Sequence, residues 1–503
     1  MNSSRMRLPP LLARVIVSWA AVLAALYTLP APALAQDAQL ASRDAATPIV
    51  GSMQPALLDA GFASAVPPDA MTRACPGCPP RRPFRAMGDV IAANLIYLGV
   101  NLAFRPPDEK IYYRTYPKIW WNNISYGFEW DDNTFMINQW GHPYQGSTYF
   151  SAGRGNGLSF WESAPLSAFG ALTWEYLAER HKPSLNDLIM TTLGGIALGE
   201  MFHRSAWLIR DTTDTGKSRM TREIVAAVID PVTGVNRFID RDALKVVEKP
   251  AMYVPSALLA AFDVGVLWRG ENLSFLEADG EPFLQANVGY GTISQGRSKA
   301  PFDAFLVSLR MGGGGGAISE LRVRGRLNGV PLGGEPEKPA RHTLHFTTLM
   351  GYDYDSNSAY QFGGQDFSGA FTSEWRFTPA WRLVTTASGG FLVLGAIDSL
   401  YVAGPDRQYD FGPGFSYGAG MALTRRGHPF LRASYSGVWL HTVDGAQAEH
   451  WTQNVRLDLL VPVKGRLGVG ATGEFIRRRS YYDGADDVLQ RFPQVRVYVS
   501  WMY

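Results

Sequence analysis

V-R-V-Y-V-S-W-M-Y, residues Val495 to Tyr503, closes the chain. Val495, Val497, Val499, Trp501 and Tyr503 share one face of an extended segment, and Arg496, Tyr498, Ser500 and Met502 share the other, because side chains alternate along a strand. An apolar face ending in a C-terminal aromatic residue is the pattern of the closing strand of an outer-membrane β-barrel. A soluble edge strand alternates in the same way, so the membrane reading rests on what the rest of the chain adds.

Working back from that strand, the chain from about Tyr253 reads as alternating segments of roughly ten residues divided by turn residues, the barrel signature. Such segments are Phe283 to Ile293, Ala304 to Met311, Leu344 to Tyr354, Ala370 to Phe377, Leu383 to Leu392, Ser416 to Thr424, Leu431 to Leu440, Val455 to Val463 and Leu467 to Ile476. Short basic connections (Arg425-Arg426-Gly427-His428 and Lys464-Gly465-Arg466) differ from longer ones (Asp444 to His450 and Tyr481 to Leu489). Gly312 to Gly316 has no Lys-Ser/Thr after it, so it is a bend between strands and not a phosphate cradle. The expected fold is therefore β with inserted α: an antiparallel outer-membrane β-barrel of about twelve strands over 251–503, with a helical hairpin packed in or under it.

The other terminus agrees. Arg5, Arg7 and Arg14 precede the apolar run Val15 to Leu29, and Ala33-Leu34-Ala35 supplies small residues for cleavage, as in a secretory signal. Residues 1–35 are expected to be removed after export, with the mature protein in the outer membrane. Residues 36–84 form a flexible periplasmic lead-in containing Cys75-Pro76-Gly77-Cys78, read as a local disulfide rather than half of a zinc site. Without the three leader arginines the chain holds 44 basic and 45 acidic residues, drawn from 47 Lys+Arg and 45 Asp+Glu in all. That balance gives no support for nucleic-acid binding. Apart from the leader, no stretch looks both long and apolar enough for a membrane helix.

Residues 163–210 switch to helical periodicity. Ser163 would cap a first helix ended by Pro183, and Ser184 a second running from Leu185 to about Ile209. Gly195-x-x-x-Gly199 would let another backbone approach closely. Around this hairpin run F-E-W-D-D-N-T-F-x-x-N-Q-W-G-H-P-Y-Q-G-S-T-Y-F (Phe128 to Phe150), W-E-Y-x-x-E (Trp174 to Glu179), P-S-L-N-D-L-I-x-T-T-x-G-G-I-A-L-G-E (Pro183 to Glu200) and D-P-x-x-G-x-N-R (Asp230 to Arg237). On these motifs, residues 85–250 resemble the bacterial family catalogued as domain of unknown function 3943. The resemblance implies an envelope location and no particular reaction. The hairpin is also similar to membrane helix pairs of the VanZ type.

Candidate chemistry concentrates in 128–237. His142 could act as a general base on Ser147, with Glu175 as the carboxylate of a triad. Asn138 or Arg154 could then steady an oxyanion. Asp187 and Glu200 are further binding candidates. Asp187 and Glu175 could equally cap helix ends, and Glu200-x-x-His203 could be a surface ion pair near Arg204. No cofactor or resident metal is expected. Two functions remain open at this stage. One is a non-enzymatic envelope protein, structural, binding or passing small solutes, with the hairpin as a plug. The other is an outer-membrane lipid hydrolase using His142, Ser147 and Glu175. Expected partners are outer-membrane lipids including lipopolysaccharide, and the barrel assembly machinery through the C-terminal strand.

Overall fold

The computed structural model describes residues 77–503, apart from 272–278, 294–295, 334–340, 402–406 and 426–427. The leader, the cleavage site and most of the lead-in lie outside the described residues. Cys78 is disulfide-bonded.

Strands β1 (Leu258–Arg269), β2 (Glu281–Tyr290), β3 (Phe305–Gly312), β4 (Gly315–Leu332), β5 (His342–Asn357) and β6 (Gln361–Arg376) are followed by β7 (Trp381–Asp398), β8 (Tyr409–Arg425), β9 (His428–His441), β10 (Ala448–Lys464), β11 (Leu467–Tyr482) and β12 (Val488–Met502). Each pairs antiparallel with its sequence neighbour, and β1 pairs with β12, so the sheet closes on itself and has no edge. From β5 to β11 the strands are longer than the segments read from sequence, while β2 ends at Tyr290, short of the expected Ile293. Gly312, Gly313 and Gly314 make the β3–β4 turn at φ 75°, 69° and 75°, a left-handed backbone in which a side chain would be strained.

Which face looks inward follows from register. Val495, Val497 and Val499 are 40–52% exposed, while Arg496, Tyr498 and Ser500 are buried. The inner face therefore carries the polar set and the outer face the apolar one, the inversion expected of a membrane barrel. The interior is filled by paired charges. Arg496 meets Glu474 at 2.9 Å, Arg310 meets Glu320 at 2.8 Å, Arg456 meets Asp458 at 2.8 Å and Arg322 meets Asp355 at 3.0 Å. Burying such charges is tolerable only because each has a partner. Apolar clusters add to the filling, one including Tyr360, Phe362, Leu392 and Phe492, the other Phe283, Leu460, Tyr498 and Met502.

The helices precede the barrel. They are α1 (Pro83–Phe104), α2 (Pro117–Tyr126), α3 (His142–Gly155), α4 (Phe160–Leu177), α5 (Leu185–Ile189), α6 (Gly195–Ile209), α7 (Gly216–Ile229) and α8 (Pro231–Ile239). Single π turns, Ile137–Gly141 and Met190–Gly194, lead into α3 and join α5 to α6. Two expectations need correction. Helix α4 is capped by Ser159, in a capping box with Glu162, four residues earlier than Ser163. And α1 is a second membrane-length apolar segment, 22 residues with mean hydropathy 1.5. Pro83, Arg85, Gly88 and Asp89 in its first two turns disguise it in the sequence.

The larger correction concerns the helical insert, which is not a plug. The row Phe262, Ala286, Leu309, Leu321, Tyr354, Gly363, Ala396 and Phe411 is connected pair by pair across β1–β8. Phe262 also pairs with Trp501, which lies on the outward face with Val499. Paired residues point to the same side of a sheet, so the whole row faces outward. Yet from Leu309 to Phe411 this row is buried, in one apolar core with Phe135, Trp140, Phe150, Phe160, Met201 and Phe202 of the helical module. The helices pack against the outside of the barrel wall, over β2–β8.

Candidate functional site

Close packing builds the module's centre. A Cβ at Gly146 would overlap the Thr191 carbonyl, and one at Gly195 would overlap the Gly146 backbone. The small residues of the G-x-x-x-G segment thus let α3 and α6 touch backbone to backbone, as small-residue pairs do in membrane helices. Gly199 seats Phe150, and Gly170 seats Tyr149.

At one end of this packed unit lies a buried polar cluster. Ser184 caps α5 through the Asp187 N–H, and the preceding Ser184 N–H donates to Glu175 Oε2 at 2.7 Å. Asn186 donates to Asp131 Oδ1 at 2.8 Å and to Asp187 Oδ1 at 2.9 Å. His142 Nε2 is 3.5 Å from Asp187 Oδ2. Asn138 donates to Asp131 Oδ1 and to the Tyr409 hydroxyl, both at 2.7 Å. Tyr409 belongs to β8 and donates to the Asn133 carbonyl at 2.7 Å. The Tyr352 hydroxyl of β5 donates to the Gln139 carbonyl. The cluster therefore pins the loop before α3 to the barrel wall. Glu179, in the loop beyond α4, accepts from Trp174 Nε1 at 2.8 Å. Burial, reinforced by the charge of Asp131, raises its carboxyl to about 7 against the pull of Trp174 and Arg105.

A second polar knot ties the other end. Glu200, fully buried, accepts from Arg154 Nε at 2.7 Å and Arg204 Nε at 2.8 Å. Arg204 also donates to the Met252 and Pro301 carbonyls, both at 3.1 Å, so it bridges the module to the β2–β3 connection. His203 Nδ1 lies 2.8 Å from Asp230 Oδ2, and its Nε2 lies 3.1 Å from the Tyr253 hydroxyl. The Glu200 pair is thus buried, not on the surface, and its partners are two arginines in place of His203.

The proposed triad members stand apart. His142 opens α3 and is not in a turn, and Ser147 follows five residues on, about 140° around the same helix. Ser147 Oγ donates to the Tyr144 carbonyl at 2.6 Å, Glu175 is engaged by the Ser184 backbone, and Arg154 is committed to Glu200. Among the described residues no hydrogen bond joins His142 to Ser147, or either to Glu175. What the structure does join is His142 with Asp187, and Asn138 with Asp131. Sequence reading passed over Asp131, Asn186, Asp230, Tyr253 and Tyr409. The first three sit inside the quoted motifs, where paired polar residues among apolar ones were the available signal, and Tyr253 lies outside them. Tyr409 lies in a strand and carried none.

Residues 127–232 match the family model described as domain of unknown function (DUF3943). No curated protein matches the chain. Among solved structures, the NanC porin is similar with a TM-score of 0.25 and 9% identity, over 48% of this chain and 98% of that one. The KdgM porin gives 0.21 and 8%, over 48% and 98%. OmpT, an outer membrane protein of Vibrio cholerae, gives 0.21 and 8%, over 49% and 97%. Scores this low carry no argument of their own; the barrel rests on its strand register.

Proposed function

We propose that this is an integral outer-membrane protein of non-enzymatic, structural or binding role, whose filled barrel is a scaffold holding the helical module in the lipid layer. One observation carries the reading: the module sits on the same outward face that is bare and apolar elsewhere on the barrel. A protein docked there shares the barrel's surroundings. Helix α1 supports this, since it presents Phe84 at 87%, Leu95 at 63%, Ile96 at 66% and Phe104 at 74% exposure. An apolar helix of that length open to water would be costly, and in hydrocarbon it is at home. The salt-bridged interior argues for a scaffold over solute passage.

The test is cysteine accessibility in proteoliposomes, in a background with Cys75 and Cys78 replaced by serine. Leu95→Cys on α1 and Val497→Cys on β12 should both resist a water-borne maleimide until detergent is added, while Lys110→Cys should react at once. Rapid labelling of Leu95→Cys with Val497→Cys protected would put the module in water and sink the proposal. A steady open-channel conductance of the wild type in planar bilayers would restore solute passage.

A further inference from the structure

We infer that the barrel rim at the chain-terminus end binds the phosphate headgroups of anionic glycerophospholipids, with the β10–β11 turn beside the end of β12 as the principal site. The inference deepens the membrane reading above and rests on it. Three observations converge there.

The first is uncompensated positive charge. Lys464 and Arg466 flank Gly465 in the β10–β11 turn, Arg425 ends β8, and Arg341 precedes β5; all four side chains are exposed. Among the described residues none of them has an ion-pair partner. Two described acids at this rim are taken: Asp303 pairs with Arg326, and Glu374 with Arg376 and Arg382.

The second is that aromatic rings hold two of these cations, Arg466 and Arg425. The Arg466 guanidinium lies 5.6 Å from the Trp501 ring centre and 4.7 Å from that of Tyr503. Arg425 lies 5.6 Å from the Trp381 ring. Trp and Tyr favour the boundary between hydrocarbon and headgroups, so the guanidinium groups stand where lipid phosphates are. Cation–π stacking leaves their N–H donors free for the paired hydrogen bonds a phosphate accepts.

The third is the surface for the acyl chains. Directly along the strands from this turn, Val461, Val463, Leu467 and Val499 point outward and are 41–67% exposed. A headgroup on Lys464 and Arg466 would lay its tails along these side chains.

The test is native mass spectrometry of the full chain released from detergent micelles containing equal phosphatidylglycerol and phosphatidylethanolamine. Wild type should retain phosphatidylglycerol preferentially. Lys464→Gln and Arg466→Gln should each lower that preference about fivefold, the effect of one basic residue near an anionic surface. Arg466→Lys should largely keep it, and Arg479→Gln, at the opposite end of the barrel, should leave it unchanged. Intact strand signal in far-ultraviolet circular dichroism qualifies each variant as folded. Equal retention of the two lipids by wild type, or an Arg466→Gln variant indistinguishable from wild type, would overturn the inference alone. Failure of wild type to float with vesicles of either lipid would instead remove the membrane reading beneath it.

Discussion

The barrel has two outer walls. From β9 through β12 to β1 the outward side chains are bare, with Val455, Leu457, Leu459, Val461, Val469, Val497 and Val499 each 40–52% exposed. From β2 to β8 part of the same face is covered by helices, while Phe367, Phe391 and Phe415 stay 39–54% exposed, and the covered residues change character. There stand Tyr290, Phe305, Tyr352, Tyr354, Tyr409 and Phe411, all buried, with gaps at Gly325, which seats Phe302, and Gly363, which seats Gln139. Lipid fits any branched aliphatic surface, so the bare wall needs only apolarity. A protein partner demands shape and polar anchors, which rings, hydroxyl groups and glycines supply. Alternation says that a face is apolar, and residue type says what lies against it.

Substitutions can break or sharpen that contrast. The largest effect should come from Gly195→Val, which pushes α6 off α3 at a backbone contact. A loss of about 3 kcal/mol or more in module stability is expected, read as early proteolysis of residues 83–250 while the barrel survives. Loss of the barrel at the same point would mean that the two parts are one cooperative unit. Next, Leu457→Arg on the bare wall should cost about 2–4 kcal/mol if the residue faces mid-bilayer hydrocarbon, measured by urea unfolding in lipid vesicles. A negligible cost would mean the bare wall is not lipid-facing. Tyr409→Phe removes one anchor of the covered wall and leaves Asn138 a buried amide short of a partner. It should cost about 1–2 kcal/mol, seen as faster hydrogen exchange in residues 131–142 and not in β9–β12. Uniform acceleration would show that Tyr409 holds the barrel and not the docking.

The smallest effect should be a pH response at Glu179. Its folded carboxyl is raised to about 7 from the unfolded range near 4.5, so the folded state holds the proton more tightly. Stability from this group is complete below the unfolded value and declines as pH rises through the folded one. Protection of the loop after α4 should thus fall between roughly pH 4.5 and 7, and Glu179→Gln should flatten the profile. A wild-type profile already flat would remove the effect.

Much of the barrel was legible because its bare strands keep strict period-two alternation. Strand β4 escaped, since Glu320, Arg322, Arg324 and Arg326 alternate as charges pointing into the barrel, the reverse of what marks a soluble strand. In the helical region Ser184 and Asp187 announced α5, and G-x-x-x-G announced a close approach. Helix α3 did not announce itself, because His142-Pro143 and three glycines look like a turn until α6 is packed against them. The candidate triad failed for a related reason. Spacing cannot reveal that Ser147 and His142 share a helix but not a side. The docking site was invisible, as Tyr352 and Tyr409 gain meaning only from helices more than two hundred residues earlier.

That separation has a consequence for biogenesis. Asn138 and Tyr409 are 271 residues apart in the chain, and the helices precede every strand of β2–β8 in sequence. Closing so long a loop is slow compared with local helix formation. The helical module must therefore wait, with Phe135, Trp140 and Phe150 uncovered, until at least eight strands have assembled beside it.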